Sequence, residues 1–139
     1  MNARLTDLPL IQAVQWLKRG EISSRELTEA CLERIASLDP RLHAFLTVTS
    51  SSALDQARAA DQALVRARRD SSFSPPPLLG LPIAVKDVLC TAGVRTTCGS
   101  AILANYIPPF NATAVERLIQ SGVVILGKTN TDEFAMGSS

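Results

Sequence analysis

The sequence predicts an α/β fold in which an N-terminal layer of helices precedes the start of an α/β core. Residues 1–69 carry apolar side chains mostly at helical spacing, which favours helices over strands. Residues 78–126 instead contain an apolar extended segment, a helical segment and a second apolar extended segment. That succession is typical of an α/β core, and a right-handed crossover is expected if the two strands are parallel neighbours.

The composition is that of one ordinary globular domain. The chain has 139 residues, of which 46% are hydrophobic, and its 14 basic and 13 acidic side chains give a net charge of +1. This balance offers no electrostatic argument for a nucleic-acid or anionic-membrane surface. No apolar run approaches the roughly 18 residues that span a bilayer, and the first residues lack the apolar core of a secretory leader. We therefore expect a cytoplasmic protein with no membrane contact.

The cysteines and the single histidine argue against a disulfide framework and against a zinc site. Cys31, Cys90 and Cys98 are odd in number and lack CxxC spacing, which fits a reducing compartment. His43 is the only histidine, so we expect no metal and no cofactor in this chain. Two alternatives stay open: His43 as a catalytic residue, and Cys90 or Cys98 as a nucleophile in a loop after a strand.

Two helices are predicted before residue 43. The first covers residues 8–19 and is ended by Gly20. Ser23 and Glu26 have the spacing of a capping box that begins the second, and Asp39-Pro40 is expected to end it. The residues of the second helix expected to be buried are Leu27, Cys31, Ile35 and Leu38.

A short strand, a third helix and a linker complete the first half. Residues 43–49, HAFLTVT, favour a strand, and residues 52–69 have the composition of a long helix. Its RARR end complements the helix dipole, with contact to RNA as the alternative. Residues 70–77, DSSFSPPP, cannot sustain a helix or a central strand. The predicted organisation is a helical segment 1–69, a linker 70–77, and the first part of a single α/β core, 78–139.

Residues 122–129, GVVILGKT, satisfy the phosphate-loop pattern G-x-x-x-x-G-K-[ST]. In such a loop the four variable positions form the turn itself, after a strand, and the lysine opens a helix. Here those positions are the apolar residues Val123 to Leu126, which favour a buried strand, and a predicted helix precedes them. Residues 127–130 are then the turn that leaves the strand. We interpret the pattern as coincidental and expect no nucleotide here.

The helix before this strand is predicted over residues 111–121. Thr113 and Glu116 are spaced for a capping box at its start, and Gly122 is placed to end it.

Lys86 interrupts the apolar strand predicted over residues 78–89 and is the strongest candidate for chemistry. Its amine either reaches water from a strand edge or is held inside. A buried amine is desolvated, which favours the neutral form that a general base requires. Asp87 would oppose this, but neighbouring side chains of a strand point to opposite faces, so the two need not touch.

Three stretches of this second half resemble the amidase signature family in order and spacing. They read GLPIAVKD, residues 80–87, GVRTTCGS, residues 93–100, and GKTNTDEFAMGSS, residues 127–139. Residues 21–35 and 42–48 also resemble the A subunits of glutamyl-tRNA(Gln) amidotransferases within this family. The likeness covers essentially the whole chain, and it implies the start of the amidase-signature mixed sheet.

The resemblance implies that Lys86 is the base of a Ser-cisSer-Lys triad. Lys86 would deprotonate a serine on a cis peptide bond, which activates a second serine to attack an amide carbon. Both serines belong to a Gly/Ser-rich segment downstream of FAMGSS, so we expect a truncated, N-terminal fragment that is inactive alone. Met136, Ser138 and Ser139 are expected to line the substrate pocket, with plain core packing of Phe134 and Met136 as the alternative.

The resemblance also implies partners. An A subunit frees ammonia from glutamine, and a B subunit uses it, with ATP and magnesium, to convert Glu-tRNA(Gln) to Gln-tRNA(Gln). A C subunit braces the pair. Two alternatives remain open: a stand-alone amidase acting on another small amide, and a non-catalytic module that binds the other subunits.

Overall fold

The computed structural model describes residues 5–137, which contain four α-helices and three β-strands. In chain order these are α1 (Leu10–Arg19), α2 (Ser24–Leu42), β1 (Phe45–Val48), α3 (Ser50–Arg69), β2 (Pro82–Lys86), α4 (Thr113–Gln120) and β3 (Val124–Thr129). Short 3₁₀ turns lie at Leu5–Asp7, Ala101–Leu103 and Glu133–Ala135. The predicted fold class, with helices first and an α/β core after them, is confirmed.

The three strands form one mixed sheet in the order β1-β3-β2. β3 lies in the centre, antiparallel to β1 and parallel to β2. Lys86, the last residue of β2, is paired with Thr129, the last residue of β3. The ends of the two parallel strands therefore meet at the same edge of the sheet.

β3 is longer than the sequence indicates. The expectation that residues 127–130 form a turn is wrong, because the strand continues through Gly127 to Thr129. The pairing with β2 shifts register between Ile125 and Gly127, and the pairing with β1 shifts between Lys128 and Thr129. Gly127 has a φ of +154°, and its missing Cβ leaves room for Thr47 O. A glycine that admits a neighbouring backbone this closely explains how the strand passes the position that looked like a turn.

The start of α2 is as predicted and its end is not. Ser23 accepts a hydrogen bond from Glu26 N, and the Glu26 carboxylate accepts one from Ser23 N, which completes the capping box. The helix runs past Asp39-Pro40 to Leu42, with Pro40 in its last turn. Asp39 stabilises that turn, because its main-chain carbonyl accepts a hydrogen bond from His43 N and its carboxylate accepts one from Ala44 N.

The predicted capping box of α4 is also wrong. Ala112 is the N-cap and Thr113 is already helical, so no side chain caps the first turn. Glu116 instead accepts a hydrogen bond from Asn111 Nδ2 at 2.9 Å. The expected stop is confirmed at Gly122, which has a φ of +85° and donates its N–H to Ile119 O.

Both faces of β3 are covered by helices. Val124 and Leu126 pack against Ala53 and Ala57 of α3, with part of α2 beside them. The alternate side chains of β3 lie on the other face with α4, in a cluster of Val85, Val115, Val123 and Ile125. Period-two alternation of an apolar strand thus places successive residues in two different clusters.

A third apolar cluster joins the helical layer to the chain entering β2. It contains Ala13, Leu17, Leu27, Leu64 and Leu81. Of the other α2 residues predicted to be buried, Cys31 and Ile35 are half-buried. The prediction is wrong for Leu38, which is 39% exposed. Residues 70–81, between α3 and β2, form neither helix nor strand.

Candidate functional site

The candidate site lies where β2 and β3 end. In open α/β sheets, ligands bind beyond the carboxyl ends of the parallel strands. Here those ends are followed by a loop over residues 87–100 and by a second loop over residues 130–137. The two loops are joined by a hydrogen bond from Phe134 N to Cys98 O at 2.8 Å and by one from Ser100 Oγ to Glu133 Oε1 at 2.5 Å.

Lys86 is exposed at this edge. Within residues 5–137 its side chain makes no hydrogen bond or ion pair, so the amine is free to meet a further group. Asp87 is fully buried, which agrees with the expectation that the two side chains leave the strand on opposite sides. Of the two placements considered for the Lys86 side chain, the structure shows the solvent-exposed one rather than the buried one.

The buried lysine of this protein is Lys128, which the sequence interpretation missed. Its side chain has 0% exposure and its Nζ donates to Leu89 O at 2.8 Å and to Thr96 Oγ1 at 2.7 Å. The same Nζ lies 3.4 Å from Asp87 Oδ1. Burial lowers the pKa of Lys128, and the Asp87 carboxylate opposes that effect. The sequence feature that could have indicated this burial is the position of Lys128 directly after an apolar strand and Gly127. Because residues 127–130 are interpreted as a turn, Lys128 is not predicted to be buried.

Asp87 completes this buried pair. Its Oδ2 accepts hydrogen bonds from Thr97 N at 2.8 Å and from Thr97 Oγ1 at 2.6 Å. Oδ1 faces Lys128 Nζ and has no hydrogen-bond partner of its own among residues 5–137. The carboxylate therefore links the end of β2 to the loop that follows and to β3.

Unusual backbone geometry is concentrated beside the site. Cys98, Phe134 and Ala135 have φ values of +54°, +51° and +56°, a region that non-glycine residues rarely occupy. Gly99, which follows Cys98, has a φ of +67° and lies so close to the second loop that a Cβ would be 2.6 Å from Thr131 O. Backbone held in this way is found at functional sites when the surroundings fix it firmly, and here both loops do so.

Met136, a predicted pocket residue, and Phe134 lie in the second loop. Met136 is 77% exposed and Phe134 is 39% exposed, so Met136 does not pack in the core. Ser138 and Ser139 lie outside the described residues. The role of Lys86 as base and of Met136, Ser138 and Ser139 as pocket residues stays a prediction.

The alternative candidates occupy other positions. His43 ends α2 in a left-handed conformation, and its carbonyl accepts from Asn130 Nδ2. Burial raises the pKa of the Cys98 thiol, and Asp87 and Cys90 raise it further, which disfavours the nucleophilic thiolate. No cluster of metal-binding side chains occurs in the part of the chain that the structure describes.

Comparison with known proteins gives the family. The Amidase family model matches residues 26–139. The chain is 51% identical over 135 residues to the A subunit of the glutamyl-tRNA(Gln) amidotransferase of Dehalococcoides mccartyi, an overlap of 97% of this chain and 26% of that protein. Among the helices described here, none is long and apolar enough to cross a membrane.

Solved structures agree. The peptide amidase of Stenotrophomonas maltophilia matches with a TM-score of 0.74 and 38% identity, covering 96% of this chain and 26% of that one. The A subunit of the glutamyl-tRNA(Gln) amidotransferase of Thermotoga maritima matches with a TM-score of 0.70 and 32% identity, covering 100% and 26%. The chain thus spans about a quarter of the length of the curated relatives it matches. Because the family model covers well over half of its residues, this chain belongs to the amidase family.

Proposed function

We propose that this chain is part of the glutamine-hydrolysing A subunit of a glutamyl-tRNA(Gln) amidotransferase, with Lys86 as its general base. The observation that carries the proposal is the 51% identity, over 97% of the chain, to a protein of that name. The position of Lys86 at the end of a parallel strand, where ligands bind in open α/β sheets, supports it.

In the proposed reaction, Lys86 takes a proton from one serine, which in turn activates a second serine. That serine attacks the amide carbon of glutamine, the C–N bond breaks, and ammonia leaves. Water then hydrolyses the acyl-enzyme and releases glutamate. Both serines would come from polypeptide corresponding to the rest of the relatives' length. Met136, Ser138 and Ser139 would border the bound amide.

The proposed partners are a bracing C subunit together with a B subunit, which receives the ammonia and binds ATP, magnesium and Glu-tRNA(Gln). The position of the phosphate-loop pattern agrees with a nucleotide site outside this chain. Its lysine, Lys128, is enclosed in β3 and donates to Leu89 O and Thr96 Oγ1, so it is not available to a phosphate.

A chimeric enzyme tests the role of Lys86. This chain replaces the matching quarter of the Thermotoga maritima protein, and glutamine-dependent ammonia release is measured for the chimera and for its K86M variant. We expect K86M to lower kcat by about a thousand-fold, because a positioned base typically contributes about 100- to 10,000-fold.

The matched control is K18M, which removes an exposed lysine of α1 and should leave kcat unchanged. The 139-residue chain by itself should release no ammonia. A K86M chimera as active as its parent would refute the assignment of Lys86.

A second candidate function is a stand-alone amidase acting on another small amide. The 38% identity to a peptide amidase over 96% of the chain favours it. Co-purification of the chimera with B and C subunits would favour the amidotransferase, whereas hydrolysis of peptide amides without any partner would favour the stand-alone enzyme.

A further inference from the structure

The buried pair of Asp87 and Lys128 has no part in the proposed reaction, yet it lies next to the candidate base. Both side chains have 0% exposure, and Asp87 directly follows Lys86 in the chain. A buried ion pair contributes little net stability compared with apolar side chains of the same volume. Net stability alone therefore does not explain why this ion pair lies beside Lys86.

We propose that Asp87 and Lys128 are positioning residues for Lys86, which fix the backbone that carries its side chain and balance the charge beside its amine. This inference rests on the proposed role of Lys86 as a general base.

The first part of the argument is geometric. Lys86 O accepts from Leu89 N at 3.0 Å, and Lys128 Nζ holds the opposite side of that turn by donating to Leu89 O at 2.8 Å. Asp87 N donates to Thr129 O at 3.0 Å. The turn after Lys86 is thus tied to β3 by main chain and side chain together, and the direction in which the Lys86 side chain leaves the strand is set by that backbone.

The loop that faces this turn is fixed by Asp87 as well. Asp87 O accepts from Cys98 N at 3.1 Å, while its carboxylate accepts both donors of Thr97. The preceding residue of the loop, Thr96, accepts a hydrogen bond from Lys128 Nζ through its Oγ1. The pair therefore connects three segments, the end of β2, the loop after it, and β3, at the position where the amine is presented.

The second part of the argument is electrostatic. With Asp87 as a carboxylate and Lys128 as an ammonium, the pair adds no net charge beside Lys86. Removal of Lys128 alone would leave a buried negative charge one residue away, which stabilises the ammonium form of Lys86 and opposes its action as a base. The other titratable groups that interact with Lys128 are the thiols of Cys90 and Cys98.

The test measures the reactivity of Lys86 directly in the 139-residue chain. The protein is treated at low ionic strength with a trace of labelled acetic anhydride across the alkaline range, and acetylation of Lys86 is quantified by mass spectrometry. In K128M the midpoint of the pH dependence should rise by about half a unit, the size expected for one nearby charge at a solvated amine. In the double variant D87N/K128M, which removes both charges, the midpoint should return to that of the wild type.

Lys18, exposed on α1, is the internal reference in every sample and should not change. An unchanged Lys86 midpoint in folded K128M would overturn the proposal, as would a double variant that stays shifted. A merely structural pair would lower stability in both variants without this reversal.

If circular dichroism shows that K128M does not fold, T97V takes its place. It removes one hydroxyl donor from Asp87 while both charges remain, which strengthens the field of the carboxylate at Lys86. A smaller upward shift is expected, and no shift in folded T97V would overturn the proposal.

The chimeric enzyme separates this inference from the proposed function. In an active chimera, K128M should lower kcat more than it changes KM, and should move the acid limb of the pH profile upward. A chimera without glutaminase activity contradicts the proposed function, whereas the acetylation experiment does not depend on turnover and still decides whether the pair acts on Lys86.

Discussion

Cys31 and Lys128 are ionisable residues whose burial disfavours the charged form, with opposite effects on their pKa values. Burial raises the pKa of the Cys31 thiol from its ordinary value of 9.0, while Arg34 opposes this. Burial lowers the pKa of Lys128 from 10.5. As pH rises above 9, ionisation of Cys31 in the unfolded state destabilises the fold. Lys128 loses its proton at a lower pH in the folded state than in the unfolded state, so the cost of burying its charge falls as pH rises toward 10.5.

The Cys31 contribution is testable through the C31A variant. The raised pKa means that the thiol stabilises the folded state below its unfolded value of 9.0, and that this contribution is lost as pH rises through the folded value. We predict that the wild type is more stable than C31A at pH 7 by about 1 kcal/mol and that this difference shrinks toward about pH 10. Urea unfolding at the two pH values measures it, and a pH-independent difference would contradict the prediction.

A few residues determine where the helices and strands of this protein begin and end. Gly127 lets β3 continue between β1 and β2 because the strand at that position has no room for a side chain. The extra length matters, since it brings Lys128 beneath the turn after β2 and places Thr129 opposite Lys86. The geometry of the candidate site thus depends on one glycine within the central strand.

Substitution of Gly127 by alanine tests this. The added Cβ would meet Thr47 O and the Val48 Cα, both backbone atoms that cannot turn aside. We expect G127A to lose about 3 kcal/mol or more of unfolding free energy, the size of other severe core and backbone disruptions.

The matched control is G93A, which also places alanine at a positive φ, +72°, but where nothing lies within 4 Å. It should lose only about 1 kcal/mol, the cost of the left-handed conformation alone. Urea denaturation of both variants gives the comparison, and equal losses would show that the close approach to β1 is unimportant.

In the molecule as a whole, the helical layer and the sheet share their apolar clusters. Ala57 of α3 is fully buried against Val124 of β3, and Leu81 packs with residues of α1, α2 and α3. Contacts of this kind couple the unfolding of the elements they join. The helices α1 to α3 are therefore expected to unfold together with the sheet.

The sole tryptophan, Trp16 of α1, makes this measurable. We predict that its fluorescence and the far-UV circular dichroism of the whole chain follow the same urea transition. A57L should move both transitions equally, by about 1–3 kcal/mol, because extra volume has no space between α3 and β3. A36L, on the exposed face of α2, is the control and should move neither. Separate transitions would show that the helical layer is independent of the sheet.

Features set by local chemistry followed from the sequence. The capping box of Ser23 and Glu26 and the stop at Gly122 depend on residues close together in the chain, and the structure has both where they are predicted. The two apolar strands are present, but β2 is shorter than predicted and β3 extends further. The order of these elements is sufficient for the α/β fold class, and the family resemblance implies the mixed sheet. Lys86 stood out as a cation in an apolar strand, and the family resemblance implied its role as the base.

Only the tertiary structure decided which lysine is buried. Lys86 and Lys128 both lie at the end of an apolar strand in the structure, and the local sequence does not show which amine is enclosed. The structure exposes Lys86 and encloses Lys128 because Asp87, Thr96 and Leu89, all distant from Lys128 in sequence, surround its amine. Burial of a charge requires partners from other parts of the chain, and the packing of β2, β3 and the loop between them brings those partners together.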